Sequence, residues 1–293
     1  PPAGTSEGSS ARSRFRSATN ACGPTTFIPA STTSTAILMN AGQDKAVGAN
    51  AGSDSAVNPY GPNIVLTSGK TITTGTGGRA TLYMGSGSGS GAELSNYIGA
   101  SSGRFRYNSN ETTTNYATAL STGLYAILRQ NPTLTVTANN TSMVYGASLT
   151  PSTSSTITGY LNGDTQAQAV ATGASVAIGG TTSTAGYLTA GDHTLTASGA
   201  QGNLGYGFAY TNGTMTVSKK ALVISASASN KTYDASTAAT TALASDKLSA
   251  DLVSLNSTSS TFASKTAGNG KTVTVSGLSI SGNDAANYNL ANT

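Results

Sequence analysis

The stretch LTVTA at residues 134–138 alternates apolar and polar side chains, and a similar apolar-rich run, LVISA, returns at residues 222–226. A period of two is typical of a strand with one face buried and the other in water. Each run is followed, eleven positions after its first leucine, by a tyrosine, which is Tyr145 in the first copy and Tyr233 in the second. The copies lie 88 positions apart, which predicts an internal repeat of small β domains.

This repeat divides the second half of the chain into two predicted domains, residues 133–219 and residues 220–293. The first copy has a strong turn signal at residues 162–164, and it ends on a predicted hairpin and closing strand at residues 212–217. The second copy has one clear inner strand at residues 271–275. It stops before any counterpart of the closing strand, so we predict that this domain lacks it.

The first 132 residues divide into two further parts. Residues 1–22 predict an irregular N-terminal arm, and residues 23–132 predict a β-rich domain of short strands joined by Gly, Asn and Ser turns. The best strand candidates are residues 63–67 and 80–84. Between residues 115 and 128, apolar side chains recur near helical spacing, which predicts one short helix.

Composition narrows the class of protein. Charged residues are only 9% of the 293 and the net charge is +4, too few for the solvated faces of a helix bundle and too weak a field to indicate nucleic acid. No apolar run is long enough for a transmembrane helix. Thr and Val suit pleated surfaces, and Gly, Asn and Ser suit tight turns. We therefore predict an all-β fold of tandem small domains, Ig-like sandwiches or β-grasp-like, in an elongated chain.

The residues that usually carry chemistry are few and scattered. His193 is the one histidine and follows a Gly-Asp turn, which favours a structural role. Cys22 is the one cysteine, interpreted as a buried or incidental thiol, with an intermolecular disulfide as the alternative. The 11 acidic residues form no calcium-loop or zinc-helix motif, and Asp164 and Asp234 follow turn patterns. We predict no catalytic, metal-binding or cofactor-binding residue, no cofactor, and a protein that is not an enzyme.

Two Arg-Phe-Arg triplets are the candidate contact residues. On a strand, alternation places both arginines on one face and the phenylalanine on the other. Such a face suits an anionic glycan or a neighbouring subunit, and the alternative is a half-buried strand whose charged edge discourages mispairing. The residues concerned are Arg14, Phe15, Arg16, Arg104, Phe105 and Arg106.

The two copies resemble known domains. Val144, Tyr145 and Gly146, with the stretch YLNGD at residues 160–164, make the first copy similar to the MBG domain of the YGX type. The stretches KTYDA at residues 231–235 and GNDAANY at residues 282–288 make the second similar to the YDG domain. Ala235 stands where the naming motif has glycine. Because alanine takes a positive φ only at a cost, this departure disfavours a left-handed turn there.

Such domains occur in filamentous-haemagglutinin-like surface proteins of Gram-negative bacteria, and residues 79–83 and 103–108 more loosely resemble sequence that precedes them. The resemblance implies secretion and display at the cell surface. It favours a structural or adhesive module, a stalk or fibre segment whose weak glycan contacts add up through multivalency.

The alternative is a self-assembling extracellular filament subunit. In it, residues 25–40 of one chain would add a strand to the open edge of the second copy in another chain. The expected partners are other copies of the chain, neighbouring domains of a longer chain, or glycans.

Overall fold

The computed structural model describes residues 37–40, 64, 72, 74, 76–87 and 93–292. The chain divides into two compact units. The first comprises Pro1–Val136, Ile157–Ala174 and Gly199–Ala209, and the second comprises Thr137–Thr156, Ser175–Ser198 and Tyr210–Thr293. The predicted N-terminal arm, Cys22, the first Arg-Phe-Arg triplet and all but Ile64 of the strand predicted at residues 63–67 lie outside the described residues.

The described residues confirm the all-β prediction. They form 21 strands, two short α-helices and one 3₁₀ helix at Ala285–Asn287. In chain order the elements are β1 (Ile37–Asn40), β2 (Arg79–Met84), α1 (Glu93–Ile98), β3 (Phe105–Arg106), β4 (Gly123–Leu128), β5 (Thr133–Ala138), β6 (Thr141–Val144), β7 (Ser155–Thr158), α2 (Gln166–Ala169), β8 (Val170–Thr172), β9 (Ser175–Ile178), β10 (Gly191–Ser198), β11 (Gln201–Gly202), β12 (Gly207–Thr211), β13 (Gly213–Ser218), β14 (Lys220–Leu222), β15 (Ile224–Ala228), β16 (Thr241–Ser245), β17 (Ser254–Asn256), β18 (Ser259–Phe262), β19 (Val273–Ser276), β20 (Ser279–Ser281) and β21 (Tyr288–Leu290).

A four-stranded parallel sheet lies in the first unit. Its strand order is β1–β2–β4–β3, and all three neighbouring pairs are parallel. Most residues of β2 and β4 are buried, which fits parallel strands that are covered on both faces. The strand predicted at residues 80–84 is confirmed within β2.

The helix predicted between residues 115 and 128 is wrong, because the second half of that stretch is strand β4. Leu124, Tyr125, Ile127 and Leu128 are all buried. A strand covered on both faces buries adjacent residues, and spacing alone does not separate such a run from a buried helix. The helix of this region is α1 instead, outside the stretch that the spacing indicated.

Two more sheets involve strands of the first unit. Strands β8 and β11 pair antiparallel. A three-stranded sheet has the order β12–β5–β7. Strand β5 buries Leu134, Val136 and Ala138, and its alternate residues are exposed or half-buried. The strand predicted at residues 134–138 is therefore confirmed.

The second unit contains a four-stranded sheet in the order β6–β13–β10–β9. Strand β10 runs antiparallel to β9 and β13, and β6 runs parallel to β13. The side chains of His193, Leu195 and Ala197 alternate into the core of this sheet. The hairpin predicted at Asn212 and Gly213 is wrong, because β12 and β13 lie in different sheets.

The rest of the second unit is built from four two-stranded sheets. Strands β14 and β21 pair parallel, whereas β15–β16, β17–β20 and β18–β19 pair antiparallel. The run at residues 222–226 is divided between β14 and β15 at Val223, whose N–H donates to Asp246 Oδ1 at 2.9 Å. The Asp246 side chain thus replaces the backbone carbonyl that a neighbouring strand would provide, and the chain passes here from the sheet of β14 to the sheet of β15. The strand predicted at residues 271–275 is present in part, as β19.

Residues 229–232 differ from their counterpart in the first copy. The repeat aligns them with β6, which pairs with β13, but they form no strand. Among the residues that the structure describes, no strand occupies the position of β13 in the second copy.

Ala235 adopts a φ of +61°, so the prediction that disfavoured a left-handed turn there is wrong. Asp234 Oδ1 accepts a hydrogen bond from the Ser236 N–H at 2.9 Å and lies 2.8 Å from Lys231 Nζ. An aspartate that bonds the backbone two residues ahead fixes a turn locally. These contacts offset the roughly 1–2 kcal/mol that a left-handed alanine costs.

Candidate functional site: one tyrosine–aspartate cluster in each unit

A buried carboxylate in the first unit binds two tyrosines. Asp164 Oδ2 accepts hydrogen bonds from the Tyr107 hydroxyl at 2.8 Å and the Tyr206 hydroxyl at 2.9 Å, and all three residues are buried. The two rings contact each other, with centroids 4.5 Å apart. Asn162 Nδ2 donates to the Tyr107 hydroxyl at 3.0 Å. We call Tyr107, Asp164 and Tyr206 the first cluster.

The turn predicted at residues 162–164 positions this carboxylate. Asn162 and Gly163 have φ of +53° and +74°, and the Asp164 N–H donates to the Leu161 carbonyl at 2.9 Å. This is the geometry that an Asn-Gly pair favours in a tight turn. The Leu161 N–H donates to the Tyr206 hydroxyl at 2.9 Å, so the turn fixes both the acid and one of its tyrosines.

The second unit contains the same arrangement. Asp251 Oδ2 accepts hydrogen bonds from the Tyr145 hydroxyl at 2.6 Å and the Tyr288 hydroxyl at 2.5 Å. The two rings meet edge to face with centroids 5.4 Å apart. Asp251 Oδ1 accepts from the Ala185 N–H at 3.2 Å. We call Tyr145, Asp251 and Tyr288 the second cluster.

The backbone around the two aspartates also matches. The Leu248 N–H donates to the Tyr288 hydroxyl at 3.0 Å, and the Asp251 N–H donates to the Leu248 carbonyl at 3.0 Å. Leu161 and Leu248 thus hold the same place, three residues before the aspartate. The two Leu-x-x-Asp turns lie 87 positions apart, close to the period of the repeat. Sequence reasoning missed this pairing, although the shared spacing was a usable signal.

In each cluster, the tyrosine that precedes the aspartate in the chain is also held by its backbone. The Tyr107 N–H donates to the Leu204 carbonyl at 2.8 Å, and the Tyr145 N–H donates to the Ser218 carbonyl at 2.8 Å. The residue after each tyrosine, Asn108 or Gly146, has a positive φ. Tyr107 and Tyr145 therefore share a bound backbone N–H and a bend directly after the tyrosine.

Burial governs the electrostatics of both clusters. Burial raises the pKa of the Asp164 carboxyl, and hydrogen bonds from its two tyrosines and the charge of Arg106 offset part of that rise. Burial also raises the pKa of all four cluster tyrosines above the ordinary value of 10.0, and the hydrogen bonds of Tyr145 and Tyr288 to Asp251 raise it further. In both clusters the tyrosine hydroxyls therefore stay protonated and donate to the aspartate.

These raised tyrosine pKa values predict cooperative unfolding in alkali. A hydroxyl whose pKa is higher in the folded than in the unfolded chain stabilises the fold below about pH 10, and that contribution is lost as the pH rises above 10 towards the folded pKa. Tyrosinate absorbance and circular dichroism, recorded together, should show the cluster tyrosines ionising only as the chain unfolds. Full ionisation of all tyrosines with an unchanged circular dichroism spectrum would contradict the buried clusters.

The structure places Arg104, Phe105 and Arg106 at the edge strand β3 and just before it. Arg106 is buried, and its guanidinium donates to the carbonyls of Gly103 at 2.7 Å, Phe105 at 2.8 Å and Thr118 at 3.3 Å. Arg104 is half-buried, and its guanidinium lies 5.8 Å from the centroid of the Tyr125 ring. Phe105 and Arg106 are both buried. The contact role of both triplets stays a prediction.

Arg106 should be sensitive to a substitution that preserves its charge. Its guanidinium also lies over the rings of Tyr116 and Tyr125, 5.3 and 5.4 Å from their centroids. A lysine ammonium cannot reproduce the planar stack or the fan of donors. We expect Arg106→Lys to lower the free energy of unfolding by about 1–3 kcal/mol, as measured by urea denaturation, and Arg104→Lys by less. Equal effects would show that these buried contacts do not stabilise the unit.

His193 lies in the core of the second unit. Its Nε2 is 2.7 Å from the Thr189 carbonyl oxygen, and its ring packs where a side chain on Gly180 would stand. Among the described residues, no three His, Cys, Asp or Glu side chains lie together as metal ligands would. The described part of the chain also contains no helix that is long and apolar enough to cross a membrane.

The segments that the clusters connect match two known domain families. The family model of the MBG domain (YGX type) matches residues 134–216, and that of the YDG domain matches residues 217–293. Both domains occur in bacterial surface and adhesin-like proteins. Comparison with curated proteins and with solved structures gives no match.

Each cluster therefore joins consecutive segments of the chain. In the first, Tyr107 precedes the MBG match, whereas Asp164 and Tyr206 lie within it. In the second, Tyr145 lies in the MBG match, whereas Asp251 and Tyr288 lie in the YDG match. A tyrosine of one segment is bound by an aspartate and a tyrosine of the next.

Proposed function

We propose that the chain is a structural and adhesive module of a secreted bacterial surface protein, a stalk or fibre segment of a filamentous-haemagglutinin-like adhesin. The observation that carries this proposal is the repeated tyrosine–aspartate cluster. A chain that spans from a cell surface to a target must resist separation of its successive segments. The two clusters hold consecutive segments of the chain together, each by the same arrangement of buried tyrosine and aspartate side chains. We call this arrangement the fastening.

The physical basis of the fastening is the loss of partners on opening. Separating the two segments breaks the hydrogen bonds that the Tyr145 hydroxyl and the Ala185 N–H donate to Asp251, and leaves the carboxyl with Tyr288 alone of these three donors. Hydrogen bonds to a charged acceptor contribute about 1.5–3 kcal/mol each. Two such bonds concentrated at one point give a junction that opens in an all-or-none manner.

Single-molecule force spectroscopy on the full chain, pulled by its ends, tests the structural role. We expect Tyr145→Phe to lower the unfolding force of one of the two units, because it removes a donor to Asp251. Tyr210→Phe is the matched control, since Tyr210 is an exposed tyrosine of the same unit. Unfolding forces that do not change with Tyr145→Phe would contradict the fastening role.

The adhesive part of the proposal rests on a different surface. Arg104 is the half-buried cation of the second triplet and sits beside Tyr125 at the edge of the parallel sheet. A glycan array with the full chain tests it. Binding to anionic glycans that Arg104→Gln weakens would support adhesion, and a chain that binds no glycan would leave only the structural role.

A second candidate is a filament subunit joined by strand addition between chains. It is favoured by residues 229–232, which form no strand where the first copy has β6. The proposed donor segment needs correction, because Ile37–Asn40 already pairs with β2 of its own chain. The rest of residues 25–40 lies outside the described residues. Electron microscopy of the full chain tests this candidate: ordered fibres that a deletion of residues 1–36 abolishes would support it, and dispersed monomers would count against it.

We also propose that the chain is not an enzyme. The buried position of His193 and its bond to a backbone carbonyl support this proposal. Turnover of a glycan or peptide substrate that is lost on His193→Gln would overturn it.

A further inference from the structure

One tyrosine of the repeat, Tyr233, is exposed and belongs to neither cluster. Tyr233 is the counterpart of Tyr145 at the same offset of 88 positions that relates the two LTVTA-like runs. Tyr145 is 1% exposed and bound in the second cluster, whereas Tyr233 is 64% exposed. The repeat therefore places a tyrosine in water at the position where the first copy uses one to hold the next segment.

The loop that carries Tyr233 is well ordered by its own contacts. Lys231 Nζ donates to the Ser236 hydroxyl at 2.8 Å and the Ala238 carbonyl at 2.7 Å, and it lies 5.9 Å from the centroid of the Phe262 ring. Asp234 and the left-handed Ala235 complete the turn. Tyr107 and Tyr145 are followed directly by a residue with positive φ, whereas after Tyr233 the positive φ comes one residue later, at Ala235. The exposed ring of Tyr233 is thus presented on a fixed bend rather than on a loose tail.

We propose that Tyr233 is a docking residue for a further domain of the same kind, one that carries a Leu-x-x-Asp turn and a core tyrosine. Docking would place the Tyr233 hydroxyl on the aspartate of that turn and its ring against the core tyrosine. Both clusters within this chain are already filled by Tyr107 and Tyr145, so a second copy of the intact chain is not the partner. This inference deepens the proposed structural function, and it rests on it.

Residues 229–232, which form no strand, indicate how the partner would arrive. In the first copy, β13 pairs with β6, and the chain continues from β13 into the next segment. A partner domain that is preceded by a strand like β13 would therefore cover residues 229–232 and bring its aspartate towards Tyr233.

An extended chain tests the proposal. The full chain is followed directly by a second copy of residues 211–293. This copy provides a β13-like strand, a Leu-x-x-Asp turn and a core tyrosine, but it lacks the segment that contains Tyr145. We expect Tyr233→Ala to destabilise the fold more in the extended chain, raising the unfolding equilibrium constant there at least about tenfold more than in the natural chain. Tyr210→Ala is the matched control and should have the same effect in both chains.

A second measurement decides the case in which the added copy does not fold. In an NMR titration, the natural chain with isotope-labelled tyrosine rings is mixed with the unlabelled full-length variant Tyr145→Ala, up to millimolar concentration. The second cluster of this variant lacks its first tyrosine. We expect the Tyr233 ring resonances to shift, and the additional substitution Asp251→Asn in the variant to abolish the shift. The proposal is overturned if Tyr233→Ala has equal effects in both chains and no shift occurs. The structural function would survive that result, because its unfolding-force test concerns only Tyr145.

Discussion

Replacing Asp251 with alanine should lower the free energy of unfolding of the second unit by about 3–5 kcal/mol. The substitution leaves three donors without an acceptor: the buried hydroxyls of Tyr145 and Tyr288 and the half-buried N–H of Ala185. Each stranded donor costs about 1–3 kcal/mol, and the three act as one network, so their effects do not simply add. Urea denaturation of the full chain, followed by circular dichroism, measures the loss.

Asp192→Ala is the matched control for this prediction. Asp192 lies in the same unit and accepts a hydrogen bond from the Thr216 hydroxyl at 2.7 Å, but that bond is exposed. We expect the control to cost less than about 1 kcal/mol. If the two aspartate variants were equally stable, the second cluster would not be holding the unit together.

Replacing Gly205 with alanine should destabilise the first unit by about 3–5 kcal/mol. Gly205 has a φ of +95°, and an added Cβ would lie 2.9 Å from the carbonyl carbon of Tyr107 and closer still to its oxygen. Both neighbours belong to backbone, which no side-chain rotation can move aside. The collision would push Tyr206 away from Tyr107 and open the first cluster.

Gly77→Ala separates that collision from the backbone cost of a positive φ. Gly77 has a φ of +79° in the same unit, and an added Cβ would meet nothing within 4 Å. We expect this control to cost about 1–2 kcal/mol, the strain of a left-handed alanine alone. Thermal denaturation of both variants compares them, and equal losses would mean that the approach of Gly205 to Tyr107 is not a constraint on the fold.

Local features of this fold were predictable from the sequence. The alternation in residues 134–138 sets strand β5, and the Asn-Gly pair at residues 162–163 sets the turn that holds Asp164, because both depend on neighbours in sequence. The parallel pairing of β2 with β4 was not predictable in the same way. Its partners lie more than forty positions apart, and burial on both faces removes the alternation that marks a strand.

The contacts within each cluster were not predictable from local sequence, for a similar reason. Tyr107 and Asp164 are 57 positions apart, and Tyr145 and Asp251 are 106 apart, so no local pattern places them together. From the sequence we predicted that Asp164 is a turn residue. That prediction describes its backbone, but it does not include the hydrogen bonds that its side chain accepts from Tyr107 and Tyr206. Ala235 shows a different limit. The conformational preference of alanine argues against a positive φ, but the contacts that Asp234 makes with Ser236 and Lys231 hold the turn in that conformation.

A double-mutant cycle between Tyr145 and Asp251 tests most directly whether the cluster fastens one segment to the next. The full chain, Tyr145→Phe, Asp251→Asn and the double variant are unfolded in urea, and the same cycle on the exposed Thr216–Asp192 pair serves as the reference. The cluster predicts a coupling free energy above about 1 kcal/mol for Tyr145 and Asp251, well beyond that of the exposed pair. Losses that add within about 0.3–0.5 kcal/mol would show that the two residues act independently and would contradict the fastening.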